Sequence, residues 1–475
     1  MTALALRSRA ALAWPASLCL FVACMSGCMV GPNYNRPKVE VPTAYRGSTP
    51  EEAPAAGSAS LADEKWWNVF QDKELQGLIR TALSSNYDVR IAASRVLQAQ
   101  AQLGITRADQ FPSLNGGANV TSVGNPAIGP IPSYSLTNGD LTASAAWNLD
   151  FWGRYRRATE AARANLMASD WARRQVVSTL VANLASSYFL LRELDLALEI
   201  SKDTLASRKE SLVLITELTE HGIDTMLDQR QAEELVYTAA SQIPDLERQI
   251  AQQENAISLL LGNNPGPVPR GLRLTEQPHA PEVPAGLPSS LLERRPDIRQ
   301  AEETLVAANA QIGVARAAYF PQIALTGSAG YQSSTLSDLF SGPQGLWTLS
   351  GTLTQPIFQG GRLKNNVRLA EAQQQQALLT YQQTIQGAFR DVSNALVAYR
   401  KNREFRIEQE HLTAAAQDAA RLSELRFKAG ATDYLEVLTS ETNYFSAELT
   451  LVQARFNELQ ALVQLYQALG GGWEQ

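Results

Sequence analysis

From Phe358 to Gln475 the chain contains no proline. Within that run, Arg362 to Lys428 reads as a single helix, followed by the turn Ala429-Gly430-Ala431-Thr432 and a second helix from Asp433 to Leu469. At about 1.5 Å of rise per residue the first arm is on the order of 100 Å long, far beyond the three or four turns of an ordinary globular helix. A helix of that length needs partners along its whole side.

The apolar pattern supplies the seam. In the second arm Leu435, Leu438, Phe445, Leu449, Val452, Phe456, Leu459, Val463 and Tyr466 alternate at spacings of three and four, with Thr442 the polar exception. This is a heptad pattern, so the arm packs as in a coiled coil. The first arm carries a similar row, interrupted at Gln374: Val367, Ala370, Leu378, Tyr381, Ile385, Ala388, Val392, Ala395 and Tyr399. Its other faces are rich in Gln and Asn, as in Asn365, Asn366, Gln373, Gln375, Gln376, Gln382, Gln383 and Gln386. Such a face suits either bulk solvent or a water-filled lumen.

The N-terminus places the chain in a compartment. Arg7 and Arg9 precede an apolar stretch from Ala10 to Met25, the pattern of a secretory leader. The stretch ends in Met25-Ser26-Gly27-Cys28, which resembles a bacterial lipoprotein cleavage box; Phe21-Val22-Ala23-Cys24 is the weaker competitor. Residues 1–27 are expected to be removed and Cys28 to carry a covalent lipid. Met29, not Asp, follows the cysteine, and the sorting rule of such lipoproteins then directs the chain to the outer membrane. The other cysteines, Cys19 and Cys24, lie in the leader, so the mature chain has no intrachain disulfide and no multi-cysteine metal site. The net charge is −6, and loss of the leader removes Arg7 and Arg9 and no acid, leaving −8. A mildly acidic chain without a long basic patch is not expected to bind nucleic acid.

The chain repeats itself. Asn86-Tyr87-Asp88-Val89-Arg90 returns as Arg295-Pro296-Asp297-Ile298-Arg299, and Phe111-Pro112 as Phe320-Pro321. Phe151-Trp152-Gly153-Arg154 returns as Phe358-Gln359-Gly360-Gly361-Arg362, and His221-Gly222…Leu227-Asp228 as Ala429-Gly430…Leu435-Glu436. The offset stays between 207 and 209 residues throughout. The expected organisation is an extended segment 28–66, a first repeat 67–261, a Pro- and Gly-rich linker 262–290, a second repeat 291–469 and a tail 470–475. Helical sequence is expected from Leu75 to Gln110. Each repeat then reads as a shorter helix (Asp88 to Asp109; Pro296 to Tyr319), a hairpin, a long helix (Arg154 to Glu220; Arg362 to Lys428), a glycine turn and a returning helix (Met226 to Leu261; Asp433 to Leu469).

The hairpins are expected over Leu114 to Val123 with Leu141 to Trp152, and over Ile323 to Ser333 with Leu346 to Phe358. Along them apolar and polar residues alternate, as in Leu141, Ala143, Ala145, Trp147 and Leu149 against Thr142, Ser144, Ala146 and Asn148. The alternation fits membrane-barrel strands and equally a half-buried soluble hairpin; the lipoprotein leader tips the balance towards the barrel. Four strands cannot close a barrel, and an open edge in lipid leaves backbone groups unpaired. Spanning would therefore require oligomerisation, with eight strands from two copies and twelve from three, a wide channel favouring three or more.

The lipoprotein box with Gly31-Pro32-Asn33-Tyr34-Asn35-Arg36-Pro37, the Trp66-Trp67 pair and the block Leu291-Leu292-Glu293-Arg294-Arg295-Pro296-Asp297-Ile298-Arg299-Gln300-Ala301-Glu302 resemble the TolC-like outer-membrane efflux factors, nearest their lipoprotein branch serving RND-type drug pumps. The resemblance implies a homotrimer with a twelve-stranded barrel joined to a twelve-helix periplasmic tunnel and a small equatorial domain. It implies a periplasmic adaptor (membrane fusion) protein and an inner-membrane RND transporter as partners. Drug efflux, metal efflux and type I protein secretion share this architecture.

No catalytic constellation competes with that reading. His221, His279 and His411 are scattered, and no phosphate loop, dinucleotide fingerprint or nucleophile elbow occurs. Apart from the lipid, no cofactor or metal is expected. A structural periplasmic coiled-coil lipoprotein would explain the heptads but not the paired hairpins. Asp88 and Asp297 head helices, where a carboxylate offsets the helix dipole, and Arg294 and Arg295 are expected in structural ion pairs.

The turns at Gly222 and Gly430 are expected at the periplasmic tip, where they would meet the adaptor. Asp228 and Glu436 stand six residues after these glycines; in a trimer they would ring a narrow mouth, where crowding raises carboxyl pKa values and favours cations. The alternative is that both acids solvate a turn. Asp433 is a further candidate at this tip. Phe427 stands where TolC has Tyr, and Thr432 where it has Arg, so closure is expected to rest on packing of Phe427, Leu435 and Leu438.

Overall fold

The computed structural model describes residues 29–46, 60–278, 288–341 and 343–473. The expected lipid site Cys28 and His279 lie outside them. Both repeats fold into the same order of elements with equal helix lengths. After α1 (Lys73–Ser85) come α2 (Tyr87–Ala108), β1 (Ser113–Asn125), β2 (Tyr134–Leu149), α3 (Arg154–Glu220) and α4 (Met226–Leu260). Then follow α5 (Pro296–Ala317), β3 (Gln322–Ser333), β4 (Gly345–Thr354), α6 (Arg362–Lys428) and α7 (Tyr434–Ala468). The corresponding helices α2 and α5 have 22 residues each, α3 and α6 have 67, and α4 and α7 have 35. Among the described residues no helix is long and apolar enough to cross a membrane.

Several expected boundaries move, each for a local reason. The helical stretch from Leu75 to Gln110 breaks at Asn86, whose side chain accepts the Asp88 and Val89 amides at 2.8 and 3.2 Å and donates to the Leu260 carbonyl at 2.9 Å. Asn86 thus caps α2 and ties it to the end of α4. β2 starts at Tyr134, not Leu141, because the polar segment Ser135–Asp140 pairs with Asn119–Gly124. Hydroxyl pairing of Ser122 with Thr137 at 3.0 Å adds to that ladder. β4 stops at Thr354 rather than Phe358, since Pro356 has no N–H to continue it.

The chain divides into two compact units. The first holds Arg95–Ser169, Gln300–Tyr381 and the N-terminal stretch as far as Lys38, and contains the antiparallel sheet of order β1-β2-β3-β4. The second holds Val39–Ser94, Asp170–Arg299 and Gln382–Gln475. Its core joins Trp66, Phe70, Leu75 and Ile79 to Leu184, Tyr188 and Leu191 of α3 and to Val452, Phe456, Leu459, Val463 and Tyr466 of α7. The heptad residues are therefore core residues over that stretch. On α6, Ile385, Ala388, Val392, Ala395 and Tyr399 are buried as expected, and Gln383 and Gln386 are exposed.

A buried carboxylate organises the same unit. Asp72 caps α1 and also accepts from the Tyr188 hydroxyl at 2.9 Å, the Leu272 amide at 2.9 Å and Gln277 at 3.0 Å. With its own two cap amides that makes five donors, enough to offset loss of hydration. The stretch read as a tail is packed up to Trp473. Ser178 donates to the Gly471 carbonyl at 2.6 Å, a Cβ on Gly471 would meet the Tyr466 ring at 2.5 Å, and Trp473 lies edge-on to Trp171 at 5.9 Å.

Candidate functional site

Over most of its length the sheet separates apolar from polar residues; towards the loops the pattern breaks, with Val123, Leu136 and Leu346 on the polar face and Ser122 and Thr137 on the apolar one. Residues directly opposite in a ladder share a face, so the register defines two continuous surfaces. One carries Leu114, Ala118 and Val120 of β1, Leu141, Ala143, Ala145, Trp147 and Leu149 of β2, Ile323, Leu325, Ala329 and Tyr331 of β3, and Trp347, Leu349 and Leu353 of β4, with glycines between. The other carries Ser113, Asn115, Asn119 and Thr121, then Asn138, Asp140, Thr142 and Ser144, then Thr326, Ser328 and Gln332, then Thr348, Ser350, Thr352 and Thr354. The apolar face is not covered: Leu114 is 80% exposed, Trp347 79% and Leu349 77%. A soluble half-buried hairpin would cover that face; this sheet presents it. β1 and β4 each pair on one side only.

Aromatic residues mark the junctions between strands and helices. Phe111 precedes β1, Trp152 follows β2, Phe320 precedes β3 and Phe358 follows β4. Phe111 and Phe358 are exposed, while Trp152 stacks on Phe320 at 4.7 Å and donates its indole N–H to the Pro321 carbonyl at 2.8 Å. Rings gathered at strand ends are the girdle pattern of barrels at a membrane–water interface.

The segment after Cys28 is held against these junctions. The Val30 amide donates to the Trp152 carbonyl at 3.1 Å, and Met29 packs on Gly153, where φ is +75° and a Cβ would meet Met29 at 2.9 Å. Arg157 is the pin. Its buried guanidinium donates to the Val30 and Gly31 carbonyls, both at 3.2 Å, to Asn33 Oδ1 at 2.8 Å and to Glu160 at 2.8 Å. Gly31 approaches Gly313 of α5 so closely that a Cβ would lie 2.5 Å from its Cα. Further on, Tyr34 and Arg36 both engage buried Glu302, at 3.3 and 3.1 Å. Burial and the neighbouring Glu302 push the Tyr34 phenol well above its usual range. Two blocks that carry the resemblance thus recognise each other, since Gly31–Pro37 docks on the helix headed by Pro296. Sequence reading missed Arg157, because three of its partners, the Val30 and Gly31 carbonyls and Asn33, lie more than 120 residues away in the chain.

The arginine block forms ion pairs. Arg295 grips Asp297 at 2.6 Å and reaches Asp391 at 3.3 Å, and Arg294 pairs with Asp63.

At the helical turns, Gly222 and Gly430 adopt φ of +74° and +70°, the left-handed conformation that ends α3 and α6. Asp228 completes a capping box with Thr225. Its carboxylate accepts the Thr225 amide at 3.0 Å and hydroxyl at 2.6 Å, while Thr225 Oγ1 accepts the Asp228 amide at 3.3 Å. Glu436 accepts the Thr432 hydroxyl and pairs with Arg426 at 3.2 Å, and Asp433 caps α7. Phe427 and Leu438 pack beside Tyr434, Val437, Ile215 and Ala232. Leu435, expected in that packing, is instead 53% exposed, because the first turn of α7 rotates Tyr434 and Val437 inward. Burial, with Glu441 nearby, pushes the Tyr434 phenol up to about 12. Asp224, two residues before α4, was also missed. One of its oxygens is buried without a hydrogen-bond partner, and desolvation with the charge of Asp228 raises its pKa.

The family model described as outer membrane efflux protein matches residues 78–263 and 287–471. The cation efflux system protein CusC of Escherichia coli O6:H1 is 36% identical, over 95% of this chain and 97% of its own. The probable outer membrane lipoprotein SilC of Salmonella typhimurium is 36% identical, over 94% of this chain and 96% of its own. The crystal structure of the open state of the Neisseria gonorrhoeae MtrE outer membrane channel superposes with a TM-score of 0.86 at 33% identity, covering 94% of this chain and 99% of that one.

Proposed function

The chain belongs to the outer membrane efflux protein family, and we propose that three copies form its working channel, each adding four strands to a twelve-stranded barrel. It is the outer-membrane channel of a tripartite efflux system, extending into the periplasm. The observation that carries the barrel reading is the uncovered apolar face on a sheet with two open edges. In hydrocarbon each unpaired backbone group costs several kcal/mol, so edge β1 of one copy pairs with edge β4 of the next. The polar face then lines the lumen.

Cys28 carries the lipid, in keeping with the lipoprotein relative and with the pinning of Met29 at the girdle. The partners are a periplasmic adaptor, met by the turns at Gly222 and Gly430, and an inner-membrane RND pump that hands over drugs or other small toxic compounds. The channel itself performs no covalent chemistry. Asp228 and Glu436, with Phe427, Thr432 and Asp433, form the resting closure at the turns, where the acids also favour cations.

Native mass measurement of detergent-purified protein is expected to give a trimer, and planar lipid bilayers are expected to show stepwise conductance. A monomer with a closed barrel, or no conductance from correctly folded protein, defeats the channel assembly. Asp228→Ala combined with Glu436→Ala is expected to raise resting conductance and weaken cation preference; unchanged recordings remove the closure assignment but not the barrel. Mass spectrometry of the mature N-terminus checks Cys28, and an unmodified thiol refutes the anchor.

A further inference from the structure

The hairpin segments are almost free of charge, and what charge they have is of one sign. Residues 111–153 and 320–361 contain no Lys, Arg, His or Glu; their ionisable side chains apart from tyrosines are Asp140, Asp150 and Asp338. Asp150 sits beside the helix junction, where Arg156 neutralises it at 3.4 Å. Asp338 lies in the β3–β4 loop and accepts the Thr335 hydroxyl at 2.7 Å.

Asp140 is different in place and in surroundings. It stands opposite Asn119 on β1 and Gln332 on β3, on the hydroxyl- and amide-rich face. Among the described residues it has no salt bridge or side-chain hydrogen bond, and it is half-buried. It lies near the middle of β2, between the hairpin turn and the junction with α3. Its carboxylate is thus the one fixed charge on a face made mostly of Ser, Thr, Asn, Gln and small residues, with Val123, Tyr134, Leu136 and Leu346 towards the loops.

We propose that Asp140 is the charge-selecting residue of the barrel, with Asp338 adding to it at the rim, so that the barrel admits neutral and cationic cargo and disfavours anions. This rests on the barrel reading above, in which the polar face lines the lumen. Three copies place three Asp140 carboxylates at one level, with no basic residue in the strands or hairpin loops to cancel them. Strands about 4.8 Å apart and tilted about 40° give twelve strands a diameter on the order of 24 Å. At 0.01 M salt the screening length is about 30 Å, so the field of the ring fills the lumen; at 1 M it is about 3 Å and the field hugs the wall. The selectivity therefore disappears as salt rises, unlike selection by a narrow filter.

The test is the reversal potential across a KCl gradient in planar bilayers, at low and high salt. It is made with Asp228→Ala and Glu436→Ala present, so that the turns add no competing charge. With Asp140 intact, cation preference is expected at low salt and its loss at high salt. Asp140→Asn is expected to remove the low-salt preference, and Asp140→Lys to convert it to anion preference. Asp140→Asn changes no volume, so it remains informative if the lysine variant fails to assemble. Conducting channels whose low-salt reversal potential ignores Asp140→Asn overturn the proposal while leaving the barrel standing. Absence of conductance with Asp140 intact instead overturns the barrel reading on which it depends.

Discussion

The two helical turns are copies in backbone and opposites in packing. Gly222 and Gly430 share nearly one φ, and each is followed at the same distance by an acid that engages the first turn of the returning helix. Yet Met226 is 58% exposed while Tyr434, its counterpart, is 3% exposed against Phe427 and α3. The first turn also exposes Ile223, whereas the second sends Tyr434 and Val437 inward; Leu227 and its counterpart Leu435 are exposed in both. Duplication preserved what the backbone requires and released what side chains do. The second turn closes on the first; the first is left with apolar surface to offer elsewhere.

The largest effect expected from this contrast is at Tyr434. Tyr434→Ala empties a buried site and should cost about 3–5 kcal/mol of local stability, whereas Met226→Ala should stay within about 0.5 kcal/mol. Hydrogen exchange of the α4 and α7 amides reads both, and equal effects would erase the asymmetry. The glycines should show the opposite, a matched pair. Gly222→Ala and Gly430→Ala each force a Cβ into the left-handed region at about 1–2 kcal/mol, and thermal unfolding that separates them strongly would break the equivalence of the turns.

Smaller again is capping. Thr225→Ala should cost about 1 kcal/mol through the lost capping box, and Asp433→Ala about the same. Helix fraying measured by exchange at the first turns of α4 and α7 checks this. The smallest effect is electrostatic and belongs to the first turn alone. Asp224 occupies the position of Thr432 but has a buried oxygen without a partner. Its pKa is raised, first by desolvation and then by Asp228, so folding favours its protonated form. Stability from this group is present below its unfolded pKa and is lost as pH rises through the folded value. The first turn should therefore tighten slightly on acidification, and Asp224→Asn should flatten that dependence in exchange measured across mildly acidic pH.

Much of this architecture was legible without coordinates. The 208-residue echo predicted equal helices and placed α3, and α6 falls where the proline-free heptad row placed it. Capping residues and heptads act within one or two turns, so they can be read locally. The strand ends were less legible, because Ser135 to Gly139 resembles loop until β1 is present to pair with it. At the turns Asp228 and Glu436 were visible as acids, but their engagement by Thr225, Thr432 and Arg426 was not. Leu435 misled because heptad spacing names a stripe but not the rotation of the first turn.

The sequence by itself determined the duplication, the long helices and the alternation in the hairpins, since each is a periodicity or short motif carried by neighbouring residues. Only the tertiary structure decided that the alternation lines up across four strands into one uncovered apolar face, that Arg157 pins Val30, Gly31 and Asn33, that Tyr434 is buried while Met226 is not, and that Asp140 stands alone on the polar wall. Each of these depends on groups distant along the chain and close in space, and register, burial and pairing exist only once those groups have met.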